Sequence, residues 1–204
     1  MLLKQAQDEQ GERARKEDPR VTRTRQLLVQ AFTTLMNEKS FQAIIVRDIT
    51  DRATVNRVTF YAHFQDKQAL LEYTIREMIE QRLRSQLPEG SAYSPENLAR
   101  LILTVCEFLD DMGRHCPPPH RQLEPLMEKQ VKAEVYEILR GWQAERAIDG
   151  IQNRSTPEQT AMVASWAIYG AAVQWIQEEQ REPAREYAQQ VLPLIMGSLQ
   201  ISAA

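Results

Sequence analysis

The sequence contains few of the residues that crosslink or interrupt a chain. Its two cysteines, Cys106 and Cys116, have no CxxC spacing, which excludes a disulfide framework and is typical of a reducing compartment. Seven glycines and ten prolines among 204 residues exclude a collagenous or low-complexity chain. With 43% hydrophobic residues, a chain of this length can bury a core without crosslinks. These numbers indicate one globular domain or two small ones.

Long hydrophobic runs are also missing. The longest, residues 161–176, is interrupted by Ser165, Gly170 and Gln174, and it is shorter than the roughly 20 residues that span a bilayer. Residues 1–19 are mostly polar and lack the apolar centre of a secretory signal. We therefore expect a cytoplasmic protein without a membrane partner.

The common enzyme motifs are absent as well. The sequence has no GxGxxG, P-loop or GxSxG motif, and its carboxylates identify no catalytic pair, so we expect no enzyme activity and no cofactor. His115, Cys116 and His120 flank a proline-rich turn and could bind a metal, but their spacing matches no common zinc module. We predict a solvated loop without metal there, and a buried, unreactive Cys106.

The charges are distributed unevenly along the chain. The formal net charge is −3, yet residues 20–64 carry seven basic and three acidic side chains, a net charge of +4. Residues 65–204 carry fourteen basic and twenty acidic side chains, a net charge of −6. A small basic module followed by a larger acidic body suggests that the first part binds a polyanion such as nucleic acid.

Apolar residues recur every three or four positions through most of the chain, which predicts an all-α fold of eight or nine helices. The predicted helices begin near residues 22, 46, 57, 66, 95, 122, 157 and 184, with a bend at Pro125 and a kink at Pro193. Four side chains are suited to cap helix N-termini: Asn56, Asp66, Ser94 and Thr156.

Residues 46–64 contain two short predicted helices joined by a tight turn, which is the pattern of a helix-turn-helix. In the second of these two helices, which is the third helix of the chain, Phe60 and Phe64 form an inward apolar face. Arg57, Val58, Thr59 and Tyr61 lie elsewhere on it. Arg suits guanine or phosphate, Val and the Thr methyl suit thymine methyls, and the Tyr hydroxyl suits a phosphate. An ordinary surface helix with Arg and Tyr outward would show the same pattern.

Residues 22–71 resemble the DNA-binding domain of the TetR (tetracycline-repressor-like) family of bacterial transcription regulators. The matching positions are Thr24, Arg25, Phe32, Val46, Arg47, Asp48, Ile49, Ala53, Val55, Asn56, Thr59, Phe60, Tyr61, His63, Phe64, Asp66, Lys67 and Leu70. They cover about a quarter of the chain, and the TFYxHFxDKxxL block is the most specific part.

The resemblance implies a homodimer on near-palindromic double-stranded DNA, with the third helix of each subunit in one half-site. It implies that Tyr61 and Lys67 hold phosphates, that Arg57, Val58 and Thr59 face the bases, and that His63 makes a lesser contact. The full predicted DNA-binding set is Arg47, Asn56, Arg57, Val58, Thr59, Tyr61, His63 and Lys67.

Two positions depart from the family pattern. Ile45 stands where the family has Thr or Ser, so the second helix lacks a side-chain cap. Thr54 stands where the turn usually has Gly, and a β-branched residue is poorly suited to positive φ. We expect an altered turn backbone but no loss of a DNA-contacting group.

The polar composition of residues 1–19 predicts a flexible arm. The resemblance implies that a three-helix DNA-binding domain (20–66) and a helical regulatory and dimerisation domain (67–204) follow it. The last two helices would pair with those of a partner subunit. A predicted dimer interface consists of Ala164, Ala167, Gly170, Ala171, Trp175, Val191 and Ile195. The alternative for these residues is packing within one chain.

A pocket for a small apolar or aromatic ligand is predicted in the same helical domain, since aromatic and Met side chains suit such a ligand. Its candidate residues are Phe108, Met112, Met127, Tyr136, Trp142, Met162, Trp166 and Tyr169. Aromatic and Met residues at helical spacing are more often part of an ordinary core.

We predict a DNA-binding transcription regulator that represses nearby genes and is released by a small ligand. The alternative is a helix-turn-helix regulator without a ligand, controlled by a protein partner or by abundance. From the residues alone, a helical enzyme with an incidental basic module and a helical interaction protein also stay open.

Overall fold

The computed structural model describes residues 18–88, 90–115, 123–148 and 155–199, and it confirms the predicted all-α class. Within these ranges there are eight α-helices, one short 3-10 helix and no strand. The elements are α1 (Pro19–Glu38), the 3-10 helix (Phe41–Ala43), α2 (Val46–Ala53), α3 (Arg57–His63), α4 (Lys67–Gln86), α5 (Pro95–His115), α6 (Glu124–Ile148), α7 (Pro157–Gln177) and α8 (Ala184–Leu199).

The chain divides into two compact units, Met1–Leu70 and Leu71–Ala204. The division falls inside α4, so the first turn of this helix belongs to the N-terminal unit and the remainder to the C-terminal unit. The predicted arm lies outside the described residues, apart from Asp18 and Pro19. Asp18 Oδ1 accepts a hydrogen bond from the Arg20 amide at 2.9 Å, so α1 begins at Pro19, three residues earlier than predicted.

The N-terminal unit is built around the apolar stripe of α1. Leu28, Phe32 and Leu35 of this stripe are buried, and α1 packs against both α2 and α3. Phe60 of α3 is fully buried, with its ring centroid 6.0 Å from that of Phe64. The inward face predicted for the third helix is therefore confirmed.

The C-terminal unit has a core formed by its long helices. Helix α5 packs against α7 and α8, α6 packs against α7, and α7 packs against α8. Cys106 of α5 lies in this core with no exposed surface, and burial raises the pKa of its thiol to about 12. A thiol with that pKa stays protonated at neutral pH, which agrees with the predicted unreactive role.

The helix starts follow the sequence signals closely. Ser94 Oγ accepts from the Asn97 amide at 3.0 Å, and Thr156 forms a complete capping box with Gln159. The bend predicted at Pro125 is wrong, because α6 begins at Glu124. Pro125 is therefore in the first turn, where a missing N–H breaks no intrahelical bond. Helix α8 continues through Pro193 to Leu199.

No helix in the described ranges combines the length and the hydropathy needed to cross a membrane.

Candidate nucleic-acid interface

Helix α3 is positioned by a cap at one end and a buried face along its length. Asn56 Oδ1 accepts hydrogen bonds from the Thr59 amide at 2.7 Å and from Thr59 Oγ1 at 3.0 Å, so the predicted cap is confirmed. Phe60 anchors the inner face. With both constraints in place, the remaining side chains of this seven-residue helix have fixed directions.

The exposed face of α3 combines a cation, an apolar group and a phenol. Arg57 is exposed, Val58 is 79% exposed and Tyr61 is 57% exposed. The Tyr61 ring packs edge-on against Phe60, with centroids 5.4 Å apart, which orients the phenol. Such a face can bind base edges through Arg and Val, and a phosphate through the Tyr hydroxyl.

The turn before α3 has the left-handed backbone that favours glycine. Thr54 has φ 56° and ψ 42°, and it is the one non-glycine residue with positive φ in the described part of the chain. The Val55 amide donates to the Thr50 carbonyl at 3.0 Å, which closes the turn. The β-branched side chain has thus been accommodated in a left-handed turn, at a cost of about 1 kcal/mol.

The start of α2 is held by a charge pair in place of a side-chain cap. Ile45 offers no capping oxygen, as expected, but its amide donates to Asp48 Oδ2 at 3.0 Å. Lys39 Nζ donates to the same oxygen at 2.6 Å. The Lys39 hydrogen bond, together with the Ile45 amide, holds the pKa of the Asp48 carboxyl below its usual value.

A second pair joins the end of α1 to α2. The Arg52 guanidinium donates to both carboxylate oxygens of Glu38, at 2.6 and 2.7 Å. This fork geometry lowers the pKa of Glu38. We did not predict these two pairs, because their partners lie nine and fourteen residues apart and no helical spacing relates them.

The other predicted DNA contacts have different surroundings. Arg47 is exposed, and its Nε lies 3.4 Å from Asp51 Oδ2 on the same helix. His63 is half-buried, with its ring centroid 6.5 Å from that of Phe64.

Lys67 Nζ donates to the carbonyls of Phe41, Gln42 and Ile44, at 2.9, 3.3 and 2.7 Å. The phosphate contact expected of Lys67 would have to compete with these three bonds.

The predicted ligand-pocket residues do not come together in one place. Tyr136, Met162 and Trp166 line an open groove of about 380 Å³ between α6 and α7, together with Pro125, Glu128, Lys129, Lys132, Ala133 and Ser165. Phe108 and Trp142 are buried in the core, Met112 and Tyr169 pack against it, and Met127 is half-buried outside the groove lining.

The polar centre of this groove is Lys132, which we did not predict. Its ammonium lies 2.6 Å from Glu128 Oε1 and 3.1 Å from the centroid of the Trp166 ring. The ring of Tyr169 is 5.7 Å away, and burial beside Glu128 raises the pKa of that phenol to about 12. Lys132 therefore places a cation, paired with Glu128, against the aromatic side chains beside the groove.

The predicted dimer residues divide into two groups. Ala164, Trp175 and Ile195 are buried within their own subunit, because α7 packs against α5, α6 and α8. Trp175 Nε1 also donates to the Glu182 carbonyl at 2.9 Å. Ala167, Ala171 and Val191 are half-buried, and Gly170 is exposed.

The sequence reasoning did not predict that four large apolar side chains of α7 and α8 are exposed. They are Met162, Val163, Trp166 and Leu194, which together we call the apolar face. Trp166 is 59% and Leu194 is 74% exposed. Periodicity identified the helices correctly but could not separate the side that packs inward from the side that remains uncovered.

Within the described ranges, no group of three His, Cys, Asp or Glu side chains is placed to hold a metal. Cys116 and His120 lie outside these ranges, so the loop predicted there stays a prediction.

Comparison with known proteins gives a consistent family relationship. Residues 28–74 match the domain of bacterial regulatory proteins of the tetR family. The chain is 26% identical over 190 residues to the HTH-type transcriptional repressor DhaR from Mycobacterium sp. (strain GP1), which covers 87% of this chain and 94% of DhaR.

Solved structures share the fold. The Bacillus subtilis regulator FadR, in complex with stearoyl-CoA, superposes with a TM-score of 0.54 at 18% identity, over 86% of this chain and 99% of FadR. The dihydroxyacetone kinase operon activator DhaS superposes with a TM-score of 0.57 at 19% identity, over 89% of this chain and 98% of DhaS. At these identities the likeness shows the fold alone.

The family consists of transcription regulators, generally not enzymes, that bind DNA and act as dimers. The matched domain contains the buried face, the capped turn and the exposed face of α3 described above. Residues 28–74 thus form a DNA-binding domain of the tetR family of bacterial regulatory proteins, in a chain that is similar over most of its length to an HTH-type transcriptional repressor.

Proposed function

We propose that this protein is a repressor of nearby genes that binds a near-palindromic operator as a homodimer and is released by a small ligand. The observation that carries the DNA-binding part is the exposed face of α3, where an almost fully exposed valine stands between Arg57 and Tyr61. An exposed valine has a chemical use in the major groove, where thymine methyls are apolar. The Mycobacterium relative is named a repressor, which supports the sign of regulation.

The proposed contacts divide into specificity and positioning. Arg57, Val58 and Thr59 face base edges, with the Thr59 hydroxyl turned back to its cap through the bond to Asn56. Tyr61 donates its hydroxyl to a phosphate, and Arg47 and His63 add lesser contacts. Two subunits would place their α3 helices about 34–36 Å apart, one turn of duplex DNA.

The apolar face supports dimerisation through α7 and α8. Monomeric proteins rarely leave several large apolar side chains uncovered on one helix. A Cβ atom added at Gly170 would meet nothing within 4 Å of its own chain, as at the other described glycines, so the space beside it is open. This leaves room for a helix of a second copy to approach closely at Gly170.

The groove beside Lys132 is the proposed ligand site. Its volume is within the range of small-molecule pockets, and its walls are mostly apolar or aromatic. Ligand binding would favour a subunit conformation in which the two α3 helices no longer match the half-site spacing. The ligand can shift that equilibrium only through its different affinity for the two conformations.

DNA binding is tested with duplexes selected by the protein from a random-sequence library. Tyr61→Phe should weaken binding by about 1 kcal/mol on selected and random duplexes alike, since a phosphate contact carries no sequence information. Val58→Ala should lose affinity on the selected duplex and little on random DNA. Equal losses for both variants on both duplexes would contradict this division of roles.

Ligand control is tested by a thermal-shift screen of apolar and aromatic small molecules on the full chain. A true effector raises Tm and lowers affinity for the selected duplex, and Tyr136→Ala abolishes both effects. Tyr136 lines the groove but is not part of the apolar face. Trp142→Phe is the control, because Trp142 lies in the core and not in the groove. An effector that still acts on Tyr136→Ala would place the site elsewhere, and a screen without effectors would favour control by a protein partner or by abundance.

A further inference from the structure

Lys67 connects the two ends of the helix-turn-helix. Its carbonyl partners, Phe41, Gln42 and Ile44, lie immediately before α2, where the chain enters the motif. Lys67 itself opens α4, four residues after α3 ends at His63. One side chain therefore holds both the segment that precedes α2 and the segment that follows α3, across 23 to 26 positions of sequence.

The three carbonyls converge because the 3-10 helix is a single turn. The Ile44 amide donates back to the Phe41 carbonyl at 3.2 Å and closes the turn, so that the carbonyls of Phe41, Gln42 and Ile44 lie close enough together to bind one ammonium. The C-terminal end of a helical turn carries partial negative charge and favours a cation. Lys67 supplies it, and its ammonium also lies 4.6 Å from the centroid of the Phe41 ring.

The three hydrogen-bond donors of the Lys67 ammonium are matched by three backbone acceptors. A lysine ammonium has three N–H donors, and three carbonyl oxygens lie within hydrogen-bond distance. The aromatic partner is itself fixed, because Phe41 packs edge-on against Phe32 of α1 at 6.2 Å. A phosphate contact would require the ammonium to leave at least one carbonyl of this site.

We propose that Lys67 is a positioning residue for DNA binding, which acts by fixing the 41–44 segment against the start of α4, and that it does not contact a phosphate. The exposed Arg57 and Tyr61 contact the DNA, and Lys67 keeps α2 and α3 in the positions from which these contacts are made. This role rests on the DNA-binding function, and it departs from the phosphate contact that the family resemblance implies.

The first test compares the salt dependence of DNA binding in variants of the full chain. Lys67→Met keeps the apolar stem and removes the ammonium, and Arg47→Ala is the matched loss of an exposed cation that is proposed to contact the DNA backbone. For Arg47→Ala, the slope of log binding constant against log salt should decrease in magnitude by about 0.9 if one phosphate contact is lost.

For Lys67→Met the slope should stay that of the parent, while affinity falls about tenfold at every salt concentration and Tm decreases. A decrease of the slope by about 0.9 in Lys67→Met would overturn the proposal.

Lys67→Arg separates charge from geometry. A phosphate contact would survive this change, because arginine binds phosphate at least as well as lysine. The planar guanidinium cannot reproduce three convergent ammonium bonds, so we expect Lys67→Arg to bind DNA about as weakly as Lys67→Met. Parental affinity in Lys67→Arg would overturn the proposal.

The second test uses the unaltered protein and does not depend on any variant folding. Limited acetylation with acetic anhydride, followed by peptide mass spectrometry, reports the reactivity of each lysine with and without the selected duplex. Lys67 should react at least tenfold more slowly than the exposed Lys129 in the free protein, and DNA should change its rate less than twofold. A Lys67 that reacts freely alone and is protected only by DNA would overturn the proposal. Failure of the unaltered protein to bind any duplex would instead refute the proposed function, and the free-protein rate would still report on Lys67.

Discussion

The two units differ in which side chains surround their exposed apolar residues. On α3 of the N-terminal unit, Val58 and Tyr61 stand beside Arg57, so apolar and charged groups alternate within one turn and a half. On α7 of the C-terminal unit, Met162, Val163 and Trp166 are exposed in a stretch, residues 159–177, that contains no charged side chain of its own, and the one cation described against them is Lys132 of α6, at the Trp166 ring. The first surface suits the edges of base pairs beside phosphates, and the second suits another apolar protein surface.

The units also differ in how their helices are held. Helices α2 and α3 have eight and seven residues, fewer than an isolated helix needs for stability in water. Polar tethers therefore supplement their small core: Lys39 with Asp48, Arg52 with Glu38, and Lys67 with three carbonyls. Helices α5, α6 and α7 have 21, 25 and 21 residues and share one extensive apolar core. A small DNA-binding unit depends on single polar side chains more than a large helical unit does.

The largest expected effect is the loss of dimerisation when the apolar face is disrupted. Trp166→Glu places a charge where a partner subunit is proposed to pack, and loss of a central tryptophan costs about 2–4 kcal/mol of association. We expect the dimer dissociation constant to rise about a hundredfold or more in sedimentation equilibrium, with parallel loss of operator binding. Ala144→Glu, at an exposed position of α6, adds the same charge as a control. An intact Trp166→Glu dimer would remove the contrast between the two surfaces.

A smaller effect on the free energy of unfolding is expected at the turn between α2 and α3. Thr54→Gly should raise the free energy of unfolding of the N-terminal unit by up to about 1 kcal/mol, because glycine adopts the left-handed backbone without strain. The same change at Thr33, exposed within α1, should lower it by a few tenths, since glycine is the poorer helix former. Urea unfolding monitored by circular dichroism measures both. Destabilisation by Thr54→Gly would show that the threonine side chain supports the turn.

The smallest effect concerns the tether at Asp48. Its folded pKa lies below the unfolded value, so the carboxylate stabilises the folded state above the unfolded pKa of about 3.9, and this contribution is lost as pH falls through the folded pKa. Asp48→Asn should therefore be less stable than the parent at pH 7, with the difference shrinking below pH 4. Because the pair is partly exposed, high salt should reduce the difference at pH 7. A difference that is constant with pH would assign the effect to packing.

Local signals predicted the helices and their caps. Asn56, Asp66 and Thr156 bond amides three residues ahead, and this distance along the chain is visible in any sequence. The inward Phe60 and outward Tyr61 follow from helical geometry in the same way. The pocket prediction was less accurate than the helix prediction. Phe108, Trp142 and Trp166 are all aromatic residues at helical spacing, yet the first two are buried in the core and Trp166 is exposed.

The order of helices, their start signals and the chemistry of the exposed face of α3 are consequences of the sequence alone, because each depends on residues within about one helical turn. The tertiary structure decided the tethers at Lys67 and Arg52, the burial of Trp175 and the exposure of Trp166. These depend on which distant helices meet and which side of α7 they cover. Helical periodicity gives every apolar side chain a direction, but only the packed neighbours determine whether something lies in that direction.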